Sequence, residues 1–343
     1  MMMEKYEDFA YALQSFFQDY LVKECGVSDN TIRSYRDTFV HFLDYMQSVH
    51  KTRPERITMD KLDRELILSF LNWLQLELGN SNCTRNQRYA ALRSFFKYMI
   101  SIDPFHISQW KRICGIKLKK DVQKAVEYLT VEGIKCILEQ INTRTKRGRR
   151  DLAMLSLLYN SGARVQELID STPMSVRATK PYFIELLGKG SKKRIVPLDE
   201  PMMNLLTAYM EENGLNKPGM DHHPLFFNSR GEKLTNPGIT YILKKYADEA
   251  KMLNPELIPK VLSPHRLRHS RAMHLLQAGV NLIYIRDILG HVSVQTTEIY
   301  ARADSKAKQD ALEMAYAEVG IKEPGIKTWE KDPKLKAYLK SLC

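Results

Sequence analysis

The stretch Leu262–Leu276, LSPHRLRHSRAMHLL, packs three histidines and three arginines into fifteen residues while its apolar positions keep a helical rhythm. A helix this cationic either meets something anionic or is a solvated face, and the rest of the chain must decide between these. Zinc is one alternative, because His265 and His269 lie one turn apart, as in a metalloprotease helix. That motif needs a glutamate base, and the charged neighbours here are Arg266 and Arg268, two guanidiniums unfavourable beside a dication. Nor does the chain offer the carboxylate cluster of a two-metal nuclease at this point. No metal is expected.

The 343 residues suffice for two ordinary domains, and a hydrophobic content of 44% supports real cores. The net charge of +12 points to a polyanion, most simply nucleic acid. Five widely spaced cysteines, with no CxxC pair, suggest neither a zinc ribbon nor a disulfide framework and fit a reducing cytosol. The opening MMMEKYEDFAYALQSFF carries acids where a signal peptide needs a basic region, and no apolar run is long enough to span a membrane. A cytoplasmic protein with no membrane partner is expected.

Residues 4–24 read as one amphipathic helix with Phe9, Leu13, Phe16, Phe17 and Leu21 on one side. Ser28-Asp29-Asn30 supply cap chemistry for a second helix, Pro54 precedes a third around Leu62–Leu78, and a fourth runs from Thr84 to about Ile100. In that fourth helix Tyr89, Leu92, Phe95, Phe96 and Met99 form the apolar face, and Arg85, Arg88 and Arg93 the opposite one. Together they make an all-helical unit of 110 residues or so. Pro104 and the run Lys117–Lys124 read as a hinge or linker, Thr130 caps another helix, and Thr143–Asp151 reads as a basic loop. Leu152–Ile169 reads as one core helix, followed by strands YFIELL and KRIVPL joined by a glycine-containing turn, and then by helices again.

Four separated pieces carry chemistry: GARVQEL (Gly162–Leu168), GKGSKKRIVPL (Gly188–Leu198), HRLRH (His265–His269) and LGHVSVQTTEIY (Leu289–Tyr300). An Arg, a hairpin Lys, His-x-x-Arg, Leu-Gly-His and a Tyr nine residues after that His, in this order, resemble the tyrosine recombinase (phage-type integrase) family over roughly residues 10–315. The resemblance implies a mainly α fold: an N-terminal SAM-like helical bundle, then a mostly helical catalytic domain with a small antiparallel β-sheet. The expected organisation is a core-binding domain over 1–115, a linker over 116–126, a catalytic domain over 127–320 and a tail over 321–343.

The resemblance further implies Tyr300 as the nucleophile on a DNA phosphate, forming a 3′-phosphotyrosyl bond without ATP or any cofactor. A guanidinium stays charged and presents a planar fork to phosphate, so Arg164 and Arg268 suit the charge that grows on the non-bridging oxygens. His265 is the expected general base, Lys189 the acid for the departing 5′-oxygen, and His291 a hydrogen-bond donor to the phosphate. Glu167 and His269 are expected to support the site, and His274 to pack. Arg33, Arg36, Thr84, Arg85 and Arg88 lie on polar faces suited to DNA, with Lys119, Lys120 and Lys124 near its backbone in a two-domain clamp. The implied partner is double-stranded DNA with specific recombination sites, bound by a homotetramer, with accessory proteins a further expectation. The tail after Tyr300, with a helix over Ser305–Val319 and another in DPKLKAYLKSL, is expected to dock on a neighbouring protomer. No separate arm-binding domain is expected ahead of the helical unit. The alternatives are a type IB topoisomerase, which shares the chemistry, and a DNA-binding regulator that has lost catalysis. The intact catalytic set argues against the latter.

Overall fold

The structure is a computed structural model, and it describes residues 8–120, 127–188, 190, 192–291 and 293–303. The chain divides into two compact units, Met1–Lys124 and Ala125–Cys343.

The first unit is built from helices α1 (Phe9–Ser15), α2 (Asp29–Ser48), α3 (Arg64–Leu76), α4 (Asn82–Ile102) and α5 (Ile107–Cys114). The expected first helix changes winding at Phe16 and continues as a wider π-helical segment to Glu24, with Phe16 and Tyr20 stacked at 5.7 Å. Helix α4 starts two residues before the expected Thr84, because the Ser81 hydroxyl accepts from the Thr84 amide at 3.2 Å. Phe9, Phe16, Phe39, Phe42, Phe70, Phe95 and Phe96 are buried together in an aromatic core. Trp110 joins them, stacked on Phe96 at 5.2 Å. Trp110 belongs to α5, a helix that the reading of Pro104 as a hinge missed. Asp103 organises this corner, accepting from the amides of Phe105 and His106 and from Trp110 Nε1 at 3.2 Å.

Two expectations for this unit need correction. Ile116 is buried, and the Lys119 and Lys120 carbonyls accept from Asn86 Nδ2 at 2.8 Å and Asn82 Nδ2 at 2.9 Å. The start of the expected linker is therefore packed along α4. The face on which Thr84, Arg85 and Arg88 were expected to meet DNA is also different. Arg85 is only 2% exposed, and Arg88 Nη1 donates to the Ser34 carbonyl at 3.1 Å and to Thr38 Oγ1 at 3.3 Å. Thr84 is half-buried, and its hydroxyl lies 3.1 Å from that of Ser81. Helix α4 is flanked by α2, α3 and α5, so its polar stripe is covered where a lone amphipathic helix would leave it open. Arg33 and Arg36 are exposed, Arg36 beside Asp37 at 2.8 Å; Lys119 and Lys120 are exposed too, and Lys119 Nζ donates to Gln75 Oε1 at 2.6 Å. Lys124 lies outside the described residues.

The second unit begins with α6 (Val131–Glu139), capped by Thr130. The expected basic loop is largely helix: the Thr145 hydroxyl accepts from the Gly148 amide at 3.0 Å, and α7 runs Lys146–Ser161. The expected single helix over 152–169 breaks at Gly162, which adopts φ 58°, and restarts as α8 (Val165–Ile169). A left-handed glycine ends helices readily, and here the break moves Arg164 from mid-helix to a helix start. Strands β1 (Val176–Arg177), β2 (Phe183–Leu187) and β3 (Lys193–Pro197) form an antiparallel sheet in that order; β1 was not anticipated. Ile184 and Leu186 of β2 are buried with Val196 of β3, and Arg194 faces Leu186 in the register, so Arg194 shares the inner face. Helices α9 (Glu200–Glu212), α10 (Asn236–Leu253), α11 (Pro264–Gln277), α12 (Leu282–Leu289) and α13 (Gln295–Ala303) complete the unit. Both expected tail helices lie outside the described residues. Among the described residues, no helix is long and apolar enough to cross a membrane.

Candidate active site

Three arginines from three elements meet at the C-terminal end of α12. Arg194 Nε donates to the Ile288 carbonyl at 2.8 Å, Arg268 Nη2 to the Leu289 carbonyl, and Arg164 Nη2 to the Gly290 carbonyl at 3.2 Å. The last carbonyls of a helix lack intrahelical partners and sit at the negative end of its dipole, so guanidiniums satisfy them twice over. Arg268 Nη1 donates in addition to the Gly162 carbonyl at 2.7 Å. The glycines of the GAR and LGH pieces thus have a local reason. Gly162 and Gly290 are left-handed, at φ 58° and 64°, and their carbonyls receive these arginines. A Cβ on Gly290 would lie 2.9 Å from Arg194 Cδ.

Glu167 supplies the countercharge. Its carboxylate accepts from both Arg194 Nη atoms, at 2.8 and 2.6 Å, from Arg164 Nη1 at 2.8 Å, and from the Arg164 amide at 2.7 Å, which also caps α8. Burial by itself would raise the Glu167 carboxyl, but the bonds and charges of Arg194 and Arg164 outweigh it and hold the group below the usual carboxylate range. Arg268 is 1% exposed; burial, with the Arg164 and Arg194 charges, brings it down to about 10, so it stays charged at neutral pH. One carboxylate against three guanidiniums leaves the cluster positive. Arg164 borders two open clefts. One, of 390 Å³, is lined with His265, Arg268, Ser263 and Asn236; the other, of 610 Å³, with Lys192, Arg194 and His291.

Tyr300, on α13, is 1% exposed and packs with Ala272, Met273, Ile285 and Leu289. Its hydroxyl lies 2.7 Å from His269 Nδ1. His265, expected to be the base on this hydroxyl, is exposed one turn earlier on α11, its ring centroid 4.3 Å from that of His269. Burial keeps Tyr300 above its ordinary pKa, and Arg268 pulls the other way. His291 Nδ1 pairs with Thr297 Oγ1 at 2.9 Å, and its ring lies nearly parallel to Tyr300. The structure therefore gathers Arg164, Glu167, His265, Arg268, His269, His291 and Tyr300 in one place. Lys189 lies outside the described residues. His274 sits apart, bonded to the Tyr159 hydroxyl at 2.7 Å.

Two members of the cluster went unread in the sequence. Arg194 had a signal: in KRIVPL the period of two puts Arg194, Val196 and Leu198 on one face, which makes an arginine in that row unusual. Thr297, fully buried, had none.

His269 and His291 are both pushed down to about 4, by burial first and then by neighbouring cations. Their folded pKa values lie below the unfolded value of about 6.5, so unfolding takes up protons in the interval. The stabilisation is complete above about pH 6.5 and is lost as pH falls toward 4, with a slope of at most about 2.7 kcal/mol per pH unit for two protons. Urea melts at pH 7.5 and 5.0 should show a larger loss for the natural chain than for the His269→Gln/His291→Gln double variant. Equal losses would defeat the assignment.

Comparison with known proteins agrees with this architecture. Residues 127–307 match the phage integrase family, and residues 15–101 match the phage integrase N-terminal SAM-like domain. The chain is 33% identical to the putative integrase/recombinase y4rC of Sinorhizobium fredii, over 99% of this chain and 100% of that one. It is 36% identical to the tyrosine recombinase XerD of Oceanobacillus iheyensis, covering 89% and 98%. Among solved structures it resembles the XerH site-specific recombinase bound to difH substrate, with a TM-score of 0.63 and 23% identity over 82% and 78% of the two chains. It also resembles the Tn1549 transposon integrase in complex with transposon right end DNA, with a TM-score of 0.68 and 17% identity over 90% and 99%. With the family matched over more than half of its length and a buried tyrosine beside Arg268 of the arginine cluster, the chain belongs to the phage integrase family and is a site-specific tyrosine recombinase.

Proposed function

We propose that the chain cuts and rejoins double-stranded DNA at specific recombination sites, with Tyr300 as nucleophile. The observation that carries this reading is the Tyr300 hydroxyl held 2.7 Å from His269 beside the buried guanidinium of Arg268. The Tyr300 oxygen attacks the scissile phosphorus, the bond to the 5′-oxygen breaks, and a 3′-phosphotyrosyl bond replaces it. The bond energy is retained, so no ATP is needed for rejoining. In this reading Arg164 and Arg268, held by the Gly290 and Gly162 carbonyls, stabilise the charge gained by the non-bridging oxygens. His291 adds a hydrogen bond to the same oxygens. The Tyr300 proton leaves toward the histidine pair: His269 Nδ1 lies 2.7 Å from the hydroxyl and positions it, and His265, next to it and lining the cleft, remains the proposed base. Lys189 is proposed to protonate the leaving 5′-oxygen. Because Tyr300 is 1% exposed, attack requires α13 to shift toward the cleft.

In this reading the core-binding domain extends to Lys120, whose carbonyl and that of Lys119 are held by α4, with the linker shortened to the stretch before the catalytic domain over 127–320 and a tail over 321–343. Arg33, Arg36, Lys119 and Lys120 are exposed and available to DNA phosphates. Four protomers would exchange strands in pairs through a Holliday junction, with accessory proteins setting direction, in the cytoplasm at the nucleoid. The test is covalent trapping. Protein mixed with labelled duplexes that flank its own gene, nicked so that the cut end is lost, should yield a slow-migrating adduct on a denaturing gel, and peptide mapping should place the DNA on Tyr300. Tight specific binding without an adduct would count against catalysis.

A further inference from the structure

The basic run Thr143–Arg150 has no part in the site described above, yet it does not behave as a solvated face. Arg149 is bonded to Glu212, with Nε at 2.8 Å, and Arg150 to Asp151 at 2.6 Å and to the Phe227 carbonyl at 3.0 Å. Lys146 and Arg147 are exposed and, among the described residues, make no ion pair within 4.0 Å; Lys146 acts only through space on Glu212, which is already bonded to Arg149. They occupy the first turn of α7, where the helix dipole is positive and no acid is present. Cations there are unfavourable unless an anion arrives. They also line a cavity of 510 Å³ with Arg150 and Tyr241 and without a single carboxylate in its wall.

The first turns of α10 separate this cavity from the cleft of Arg164, His265 and Arg268: Gly238 and Tyr241 face the cavity, while Asn236 and Thr240 face the cleft. Tyr241 is 66% exposed between the two and offers a hydroxyl to a backbone oxygen. Helix α7 joins the two cationic places like a strut. Sixteen residues at 1.5 Å each give about 24 Å between its ends, which is about seven base-pair rises.

We propose that Lys146 and Arg147 bind DNA backbone phosphate outside the cleaved position, as a second anchor of the catalytic unit on the duplex. The proposal rests on the DNA-recombinase reading above. It assigns these residues a positioning role, with no part in the chemistry.

The test uses the full chain and a fluorescent 40-bp duplex of arbitrary sequence, with binding followed by anisotropy from 50 to 300 mM salt. For Lys146→Ala/Arg147→Ala the slope of log K against log salt should shrink by about 1.8, or about 0.9 for each phosphate no longer neutralised. The charge-preserving Lys146→Arg/Arg147→Lys pair should keep the natural slope. At saturating protein, covalent trapping by the alanine pair should match the natural chain, and its melting temperature should be no lower, since two cations leave a helix N-terminus. An unchanged slope in the alanine pair, with a natural chain that binds DNA normally, overturns this proposal alone. A loss of trapping at saturation would move the pair into the chemistry, a lower melting temperature would make it structural, and either overturns the proposal. A natural chain without salt-dependent duplex binding would overturn the DNA reading together with it.

Discussion

Tyr300→Phe should abolish the covalent adduct completely while leaving DNA affinity within about twofold. The expectation follows from where the ring sits. Its carbon skeleton packs among Ala272, Met273, Ile285 and Leu289, and phenylalanine reproduces all of that surface. What disappears is one hydroxyl and its hydrogen bond to His269 Nδ1 at 2.7 Å. A single neutral hydrogen bond contributes about 1 kcal/mol net, so the variant should fold and melt only slightly below the natural chain. The reaction has no such tolerance, because the oxygen removed is the one that would become the bridging atom to phosphorus. Residual catalysis from well-placed donors acts only on a nucleophile, and water attack would release hydrolysed ends rather than an adduct. Phenylalanine should therefore give bound, uncut DNA. An adduct at more than a trace level would show that another side chain attacks and that the buried Tyr300 is a packing residue.

The catalytic pieces were legible because their chemistry demands particular residue types at short local spacings. The histidine-arginine helix needs His265, Arg268 and His269 within two turns, and the Leu-Gly-His turn needs Gly290 to be left-handed. Spacing of this kind survives in one dimension. What did not survive was anything decided by packing between distant segments. The helix break at Gly162 was hidden because the sequence on either side is apolar and helical; the left-handed glycine makes the stop possible, and the stop delivers the Gly162 carbonyl to Arg268. Helix α5 was masked by Pro104, although Trp110 after it is among the largest buried side chains. Arg85 read as exposed because helical periodicity reports one apolar face and cannot report that α4 is flanked on several sides. Arg194 is the instructive omission: a charged residue in an inward row of a strand signals a buried partner, and that partner, Glu167, was already in view.

Glu167→Ala should be the most damaging change that leaves every proposed reacting group in place. The carboxylate is 5% exposed and takes bonds from Arg194 through two nitrogens and from Arg164 through two more. Removing one partner of a buried charge pair typically costs about 3–5 kcal/mol, because the remaining charge is left uncompensated. Here that removal leaves three guanidiniums around the end of α12 with only carbonyls to share. Two of them, Arg164 and Arg268, are the groups proposed to hold the phosphate, and displacing such a group by about 1 Å can cost about 10²-fold in rate. The alanine variant should therefore melt far lower and trap DNA at least about tenfold more slowly at saturating protein. Glu167→Gln keeps the shape and some of the hydrogen bonds but loses the charge, and should fall between. Acid provides an independent check. The folded carboxyl lies below its unfolded value of about 4.3, so its stabilisation is complete above that pH and disappears as pH falls through the lower folded value. Melting curves of the natural chain should thus steepen in their loss of stability below about pH 4.3, and those of Glu167→Gln should lack that added acid limb. If Glu167→Ala instead melts and traps DNA like the natural chain, the arginines are held by the α12 carbonyls alone and the carboxylate is dispensable.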